Sequence, residues 1–136
     1  MPNQKTLSII KPDAVKAGNA DAINLMIENS GLKILEKKEL KLSKEEAQQF
    51  YSVHSDKPFY KELCEFMTSG PIIAQMLEGE NAIELYRKVM GATNPEEAEE
   101  NTIRKKFAIS IQENAVHGSD SEDNALKELN FFFKKS

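Results

Sequence analysis

The sequence predicts an α+β protein, a four-stranded antiparallel sheet covered by helices, and three observations carry that expectation. Segments with the spacing of strands and segments with the spacing of helices take turns along the chain. Each is short and is bounded by breaks rich in Gly, Pro, Asn or Ser. The 136 residues suffice for one hydrophobic core and are too few for two ordinary ones, so a single domain over residues 1–136 is expected.

Lys5 to Ile10 alternates weakly and ends apolar, as a first strand does, and Lys11-Pro12-Asp13 stops it. Ile23, Met26 and Ile27 keep helical spacing, and Gly31 supplies a left-handed cap. Leu32 to Leu42 alternates apolar and charged residues, a strand with one wet face. Ser43 with Glu46 forms a capping box, and the helix it starts turns Ala47, Phe50, Tyr51 and His54 inward. Lys57-Pro58 breaks the chain before a short helix over Phe59 to Met67. Ser69-Gly70-Pro71 is a turn, and Ile72 to Leu77 is an apolar run of strand length. Ala82, Leu85, Tyr86 and Val89 form the inner stripe of the next helix. Gly91 to Asn101 contains four glutamates and no apolar period, so it reads as a loop with at most one helical turn. Ile103 to Ile111 is mixed, Ala115 to His117 is a short strand, and Ser119 to Ser121 caps a last helix with Ala125, Leu126, Leu129 and Phe132 inside. The order β-α-β-α-(α)-β-α-β-α suggests a ferredoxin-like sandwich.

The formal net charge of −4 argues against a protein that coats nucleic acid, and no dedicated nucleic-acid site is expected. No window approaches the apolar length of a membrane span, and no apolar run follows a basic start, so neither membrane nor secretion is expected. One cysteine, Cys64, leaves no internal disulfide and fits a reducing compartment; cytoplasm is the default. Arg87 and Arg104 are the only arginines among 18 basic residues. Arginine is preferred where a planar fork must grip phosphate or carboxylate, so each of the two deserves a question.

His117, in Asn114-Ala115-Val116-His117-Gly118-Ser119-Asp120-Ser121, is the first chemical candidate. An imidazole with one unprotonated nitrogen can attack phosphorus if a neighbour holds the other nitrogen. The glycine after it leaves room for a substrate. A histidine packed at a strand end would look the same in isolation. His54, on an inner stripe with no partner nearby, reads as structural. Arg87, Thr93 and Arg104 bracket the irregular loop and could converge on a polyphosphate, or pair with the loop's glutamates. Lys11 stands where the first strand ends. Phe59 could stack on a nucleobase or belong to the core. Tyr51 is core by spacing, with a hydroxyl that wants a partner. Glu128 lies beside the inner stripe of the last helix, placed to orient His117 or simply solvated. There is no Gly-x-x-x-x-Gly-Lys-Ser/Thr loop and no Gly-x-Gly-x-x-Gly, so phosphate transfer would need another architecture.

These signals meet in one pattern. The segment Asn114-x-x-His117-Gly118-Ser119-Asp120-Ser121 resembles the active-site signature of nucleoside diphosphate kinases. Ile9-Ile10-Lys11-Pro12-Asp13-Ala14-Val15 resembles that family's first-strand motif. Lys57-Pro58-Phe59-Tyr60, Phe66-Met67-Thr68-Ser69-Gly70-Pro71, Leu77-Glu78-Gly79-Glu80-Asn81-Ala82 and Gly91-Ala92-Thr93-Asn94-Pro95 follow in the same order. The likeness runs from Thr6 to Phe133, and Gln112-Glu113-Asn114 is similar to bacterial-type members.

The resemblance implies a ferredoxin-like fold and a set of roles. His117 would carry the phosphate, Glu128 would orient its ring, and Ser119 would help. Lys11, Tyr51, Arg87, Thr93, Arg104 and Asn114 would bind phosphates and ribose. Phe59 would stack on the base without reading its edge, and Leu63 and Ile111 would line the base site. Mg²⁺ would be held by phosphates and water, with no metal-ligating residue in the chain. The reaction would be ping-pong: a nucleoside triphosphate, chiefly ATP, phosphorylates His117, and a nucleoside diphosphate collects the phosphate. A homo-oligomer built from dimers, a tetramer before a hexamer, is expected from the strand edge and the family's habit. The chain departs from the pattern at Glu100-Asn101, where Pro-Gly is usual, at Asp21, where glycine is usual, and in the absence of a tail after Phe133-Lys134-Lys135-Ser136. A catalytically inactive nucleotide-binding or regulatory module of the same fold is the alternative, and a different phosphohistidine carrier would not need Phe59 or the arginine pair.

Overall fold

The computed structural model describes residues 3–52, 55–109 and 115–133. His54, Ile111, Asn114 and the Gln112-Glu113 pair lie outside these residues. The elements run β1 (Asn3–Ile10), α1 (Pro12–Lys16), α2 (Ala20–Asn29), β2 (Lys33–Leu40), α3 (Lys44–Phe50), α4 (Tyr60–Met67), β3 (Ile72–Glu80), α5 (Ala82–Met90), α6 (Ile103–Phe107), β4 (Val116–Gly118) and α7 (Glu122–Phe132). The strands form one four-stranded sheet in the order β2-β3-β1-β4, and every neighbouring pair is antiparallel. This is the ferredoxin-like arrangement that the element order suggests.

The sheet separates two cores, because successive side chains of a strand point to opposite faces. Leu7 and Ile9 of β1 and Ala74 and Met76 of β3 pack with Ala47, Cys64, Met67, Leu129 and Phe132 from α3, α4 and α7. Ile10, Leu77 and Val116 face the other way, against Ala14, Ile23, Ile27, Ala82, Tyr86, Met90 and Ile103 from α1, α2, α5 and α6. β1 and β3 occupy the middle of the sheet, and the apolar run of β3 is buried for that reason. β2 is an edge strand and mostly exposed, and its register slips between Ile34 and Glu36.

Local chemistry sets the helix ends. Ser43 Oγ accepts from the Glu46 amide at 3.1 Å and Glu46 Oε1 accepts from the Ser43 amide at 2.9 Å, so the capping box forms. A cap of this kind contributes about 1 kcal/mol. Gly31 takes φ +103° just past α2, as a left-handed cap requires.

Three expectations change. Lys11-Pro12-Asp13 does not merely stop β1 but opens α1, since a proline at the first helical position is pre-organised and sacrifices no hydrogen bond. Leu126 is 63% exposed, because Ala125, Leu129 and Phe132 already supply the stripe of α7 and Leu126 lies one residue off it. In α5 the buried set is Ala82, Ile83, Tyr86 and Met90, with Leu85 and Val89 only partly covered.

Candidate active site

β4 is three residues long and pairs with β1, setting His117 opposite Ile9 and Gly118 opposite Ser8. The pleat turns His117 toward α3 and α7, and Val116 and Gly118 toward α5. A Cβ on Gly118 would stand 2.7 Å from Met90 Cε and 2.8 Å from Tyr86 Cδ2. The helix behind the strand therefore favours glycine here, and Gly118 also lines the cavity beside His117. Tyr86 is fully buried there and shares a 2.7 Å hydrogen bond with Ser8 Oγ, to which Gln75 Nε2 also donates at 3.3 Å.

α7 begins at Ser121, whose Oγ accepts from the Asn124 amide, and Glu128 sits on the turn that overhangs His117. Glu128 Oε1 lies 3.1 Å from His117 Nε2 and accepts from Ser119 Oγ at 2.7 Å. Ser119 is 1% exposed, whereas the side chains of His117 and Glu128 keep 22% and 21% of their surfaces open. An ionised carboxylate only accepts, so a neutral imidazole in this contact would carry its proton on Nε2 and its lone pair on Nδ1.

A cavity of about 450 Å³ opens over this pair. Besides His117 and Glu128 it is lined by Arg87, Asp120 and Asn124, with Phe50 and Phe131 as its apolar part. Phe50 meets the His117 ring edge-on at 5.7 Å between centroids, and Tyr51 does so at 6.4 Å. The Tyr51 hydroxyl is buried with no hydrogen-bond partner among the described residues. Burial and the Glu128 charge push its ionisation far above the ordinary value, so it is a donor and not a base. A larger hollow of about 870 Å³, lined by Lys5, Met76, Leu126, Leu129 and Phe133 among others, holds no histidine.

The cationic residues fall into two kinds. Arg87 is exposed on α5 and reaches the His117 cavity. Arg104 is 9% exposed, and its terminal nitrogens donate to the carbonyls of Gly91 and Val116, each at 3.0 Å. It thereby ties the loop to β4, and burial lowers its pKa, with the Arg87 charge adding to the effect. Lys11 is 7% exposed. Its ammonium is lowered to about 8, mainly by burial and then by Arg104, with Asp13 acting in the opposite sense.

Gly91 takes φ +88°, and a Cβ there would meet Thr102 Oγ1 at 2.6 Å, so the loop starts against the cap of α6. Thr93 is exposed on that loop. Phe59 is 46% exposed at the cap of α4, and Leu63 follows one turn later, half-buried. Thr93, Phe59, Leu63, Lys11, Tyr51 and Arg104 do not line the His117 cavity. Sequence reasoning named Phe50 only as an inward-facing residue and Asp120 only as part of a motif and a cap, and it gave Asn124 no role. Asp120 accepts from Asn124 Nδ2, and this contact holds its carboxyl below the ordinary range; the i, i+4 spacing across a helix start was the available signal.

Among the described residues, no three His, Cys, Asp or Glu side chains converge as a metal cage would require.

The sequence profile described as "Nucleoside diphosphate kinase" matches residues 4–136. A nucleoside diphosphate kinase of Rhodovulum sulfidophilum is 59% identical over 133 residues, covering 98% of this chain and 95% of its own. One of Methylobacterium radiotolerans is 54% identical over 136 residues, covering 100% and 97%. Among solved structures, the Aquifex aeolicus nucleoside diphosphate kinase superposes with a TM-score of 0.93 at 40% identity, covering 98% of this chain and 96% of that one. The Halobacterium salinarum enzyme in complex with CDP gives 0.93 at 36% identity, covering 98% and 90%. With that profile across nearly its whole length and relatives above half identity, the chain belongs to the nucleoside diphosphate kinase family.

Proposed function

We propose that this chain transfers the γ-phosphate of a nucleoside triphosphate to a nucleoside diphosphate through a phosphohistidine on His117. The observation that carries the reading is the shared oxygen of Glu128, which accepts from Ser119 Oγ and meets His117 Nε2, leaving Nδ1 to attack. In the first half-reaction Nδ1 bonds to the γ-phosphorus, the bond from that phosphorus to the β–γ bridging oxygen breaks, and the diphosphate leaves. The second diphosphate's terminal oxygen then takes the phosphoryl group from Nδ1, restoring the neutral ring. Imidazolium would lack the lone pair, so the Glu128 contact serves to hold the tautomer rather than to charge the ring.

Arg87 supplies positive charge at the cavity mouth. Lys11 and Arg104 do not line that cavity; they are the further cations proposed for the phosphates, and each terminal nitrogen of Arg104 retains a second N–H after binding its carbonyl. Tyr51 offers a hydroxyl donor, Thr93 a hydroxyl from the loop, and Phe59 with Leu63 an apolar platform for the base. Stacking on Phe59 reads no base edge, so purine and pyrimidine diphosphates are both acceptors. CDP bound to the Halobacterium salinarum relative is in keeping with this. The roles of Ile111 and Asn114, at the base and the ribose or phosphates, complete the proposed set.

The donor set fits a Mg²⁺ that arrives with the nucleotide. Of the two carboxylates in the cavity, Glu128 is committed to His117 and Ser119, and Asp120 accepts from Asn124. When bound with the nucleotide, such an ion would be held by phosphates and water rather than by these carboxylates, and would supply charge neutralisation to the transferring phosphate.

Among the described residues no helix is long and apolar enough to cross a membrane, and the proposed place of action is the cytoplasm. We place the assembly as a homo-oligomer of dimers, a tetramer before a hexamer. β2 lies at a sheet edge, and Leu35 on it and Leu25 on α2 are 41% and 59% exposed, which leaves a surface suited to a second copy.

The test is incubation with γ-labelled ATP. Acid-labile, base-stable label on the wild type and none on a folded His117→Ala variant is the expected result. An inactive module of the same fold would bind nucleotide and take no label, and label retained in His117→Ala would overturn the mechanism.

A further inference from the structure

Three non-glycine residues take positive φ among those described: Asn81, Asn101 and Ala115. Asparagine tolerates this region because its short polar side chain can bond locally. Alanine has no such help, and Ala115, at φ +74°, lies two residues before His117. Something outside the residue must hold it there.

The holder is the turn that leaves β1. The Ala115 amide donates to Asp13 Oδ2 at 3.1 Å, and the Ala115 carbonyl accepts from the Lys11 amide at 2.8 Å. Both polar backbone atoms of one residue are thus gripped by one three-residue stretch. The next carbonyl, that of Val116, is held by Arg104. β4 has only three residues and three register pairs with β1, so its own ladder provides little to locate it. Asp13 sits in the first turn of α1, a favourable place for a carboxylate, yet among the described residues its buried Oδ1 has no hydrogen-bond partner within ordinary geometry. Burial raises its pKa against the Lys11 charge and the backbone amides. A half-buried carboxylate with one enclosed oxygen left over calls for a reason, and the conformation of Ala115 provides one.

We propose that Asp13 is a positioning residue for phosphoryl transfer: its carboxylate clamps Ala115 in the left-handed conformation, and the clamp sets the height and rotation of His117 on β4. The inference rests on the reading of His117 as nucleophile. Asp13 does not line the His117 cavity. It acts through the backbone, and an error of about 1 Å at a nucleophile costs on the order of a hundredfold in rate.

The test measures single-turnover labelling of His117 by γ-labelled ATP, nucleotide affinity, and amide hydrogen exchange at Ala115. Asp13→Ala should label about 10- to 100-fold more slowly, with affinity within about threefold of wild type. The Ala115 amide should lose its protection. Asp13→Asn retains an acceptor at the same reach and should recover most of the rate and the protection. Ala115→Gly relieves the need for a clamp, since glycine enters positive φ without steric cost. In that background Asp13→Ala should cost less than about threefold. Wild-type labelling by Asp13→Ala, or an equal fold-loss in both backgrounds, overturns the proposal. Should Asp13→Ala fail to fold alone, the double variant decides. Near wild-type labelling by folded Asp13→Ala/Ala115→Gly supports the clamp, and slow labelling overturns it. A wild type that takes no label on His117 removes the nucleophile reading itself, before any Asp13 variant is made.

Discussion

Replacing Lys11 by methionine should make the protein more stable and less active. Lys11 is 7% exposed, and its ammonium is lowered from the ordinary 10.5 to about 8, first by burial and then by Arg104. A lowering of this size corresponds to about 3 kcal/mol of unfavourable interaction in the charged form. Methionine keeps most of the stem volume and removes the charge, so a gain of about 1–3 kcal/mol at pH 7 is expected after lost contacts are allowed for. The sign with pH follows from proton counting. Between pH 8 and 10.5 the unfolded chain binds more protons at this site than the folded one, so wild-type stability gains on the variant as pH rises through that window. The raised ionisations of Tyr51, Tyr86 and Cys64 work in the opposite direction, and comparing the two proteins at each pH cancels them. Urea unfolding at pH 7 and 9.5, with diphosphate KM at pH 7, is the assay. A variant no more stable than wild type at pH 7, or an advantage that does not shrink at pH 9.5, refutes the reasoning.

Arg87→Lys and Arg104→Lys should both lose activity, because lysine offers a point charge in place of a fork. Only Arg104→Lys should also lose stability, by about 1–3 kcal/mol in chemical unfolding, since one ammonium cannot span the Gly91 and Val116 carbonyls; equal stability in both variants would contradict the bracing role. Gly118→Ala drives a Cβ into Tyr86 and Met90 and should destabilise by about 1–3 kcal/mol in calorimetry, with slower labelling of His117. Light scattering should give an oligomer mass, with a melting temperature that rises with concentration. A monomer at micromolar concentration with full activity would remove the assembly proposal, and a hexamer would leave the dimer unit but reverse the preferred size.

Much of this molecule is written locally. The apolar run at Ile72, the Ser43–Glu46 box and the glycine at 31 act over a few residues, so periodicity and turn chemistry reveal them. The Asn114 to Ser121 motif, read with the first-strand and loop motifs, points to the family and to His117 without any coordinates. The same local reading saw that Lys11-Pro12-Asp13 ends β1 but not that it opens α1, and it turned Leu126 inward, because the choice between neighbouring helix faces is made by what the helix packs against.

Long-range contacts had no such signature. His117 and Glu128 are eleven residues apart, and only the seating of α7 beside β4 brings the carboxylate within 3.1 Å of Nε2. Asp13 and Ala115 are 102 residues apart and meet because β1 lies next to β4. Arg104 was legible as a rare arginine, but its burial and its grip on two carbonyls were not. By itself the sequence determined the α+β class, the identity of the nucleophile candidate and the family, since these rest on residue types and spacings. The tertiary structure alone decided which nitrogen of His117 meets Glu128, what the glycine beside it packs against and what holds its strand, since hydrogen bonds and steric contacts depend on distances that chain separation does not encode.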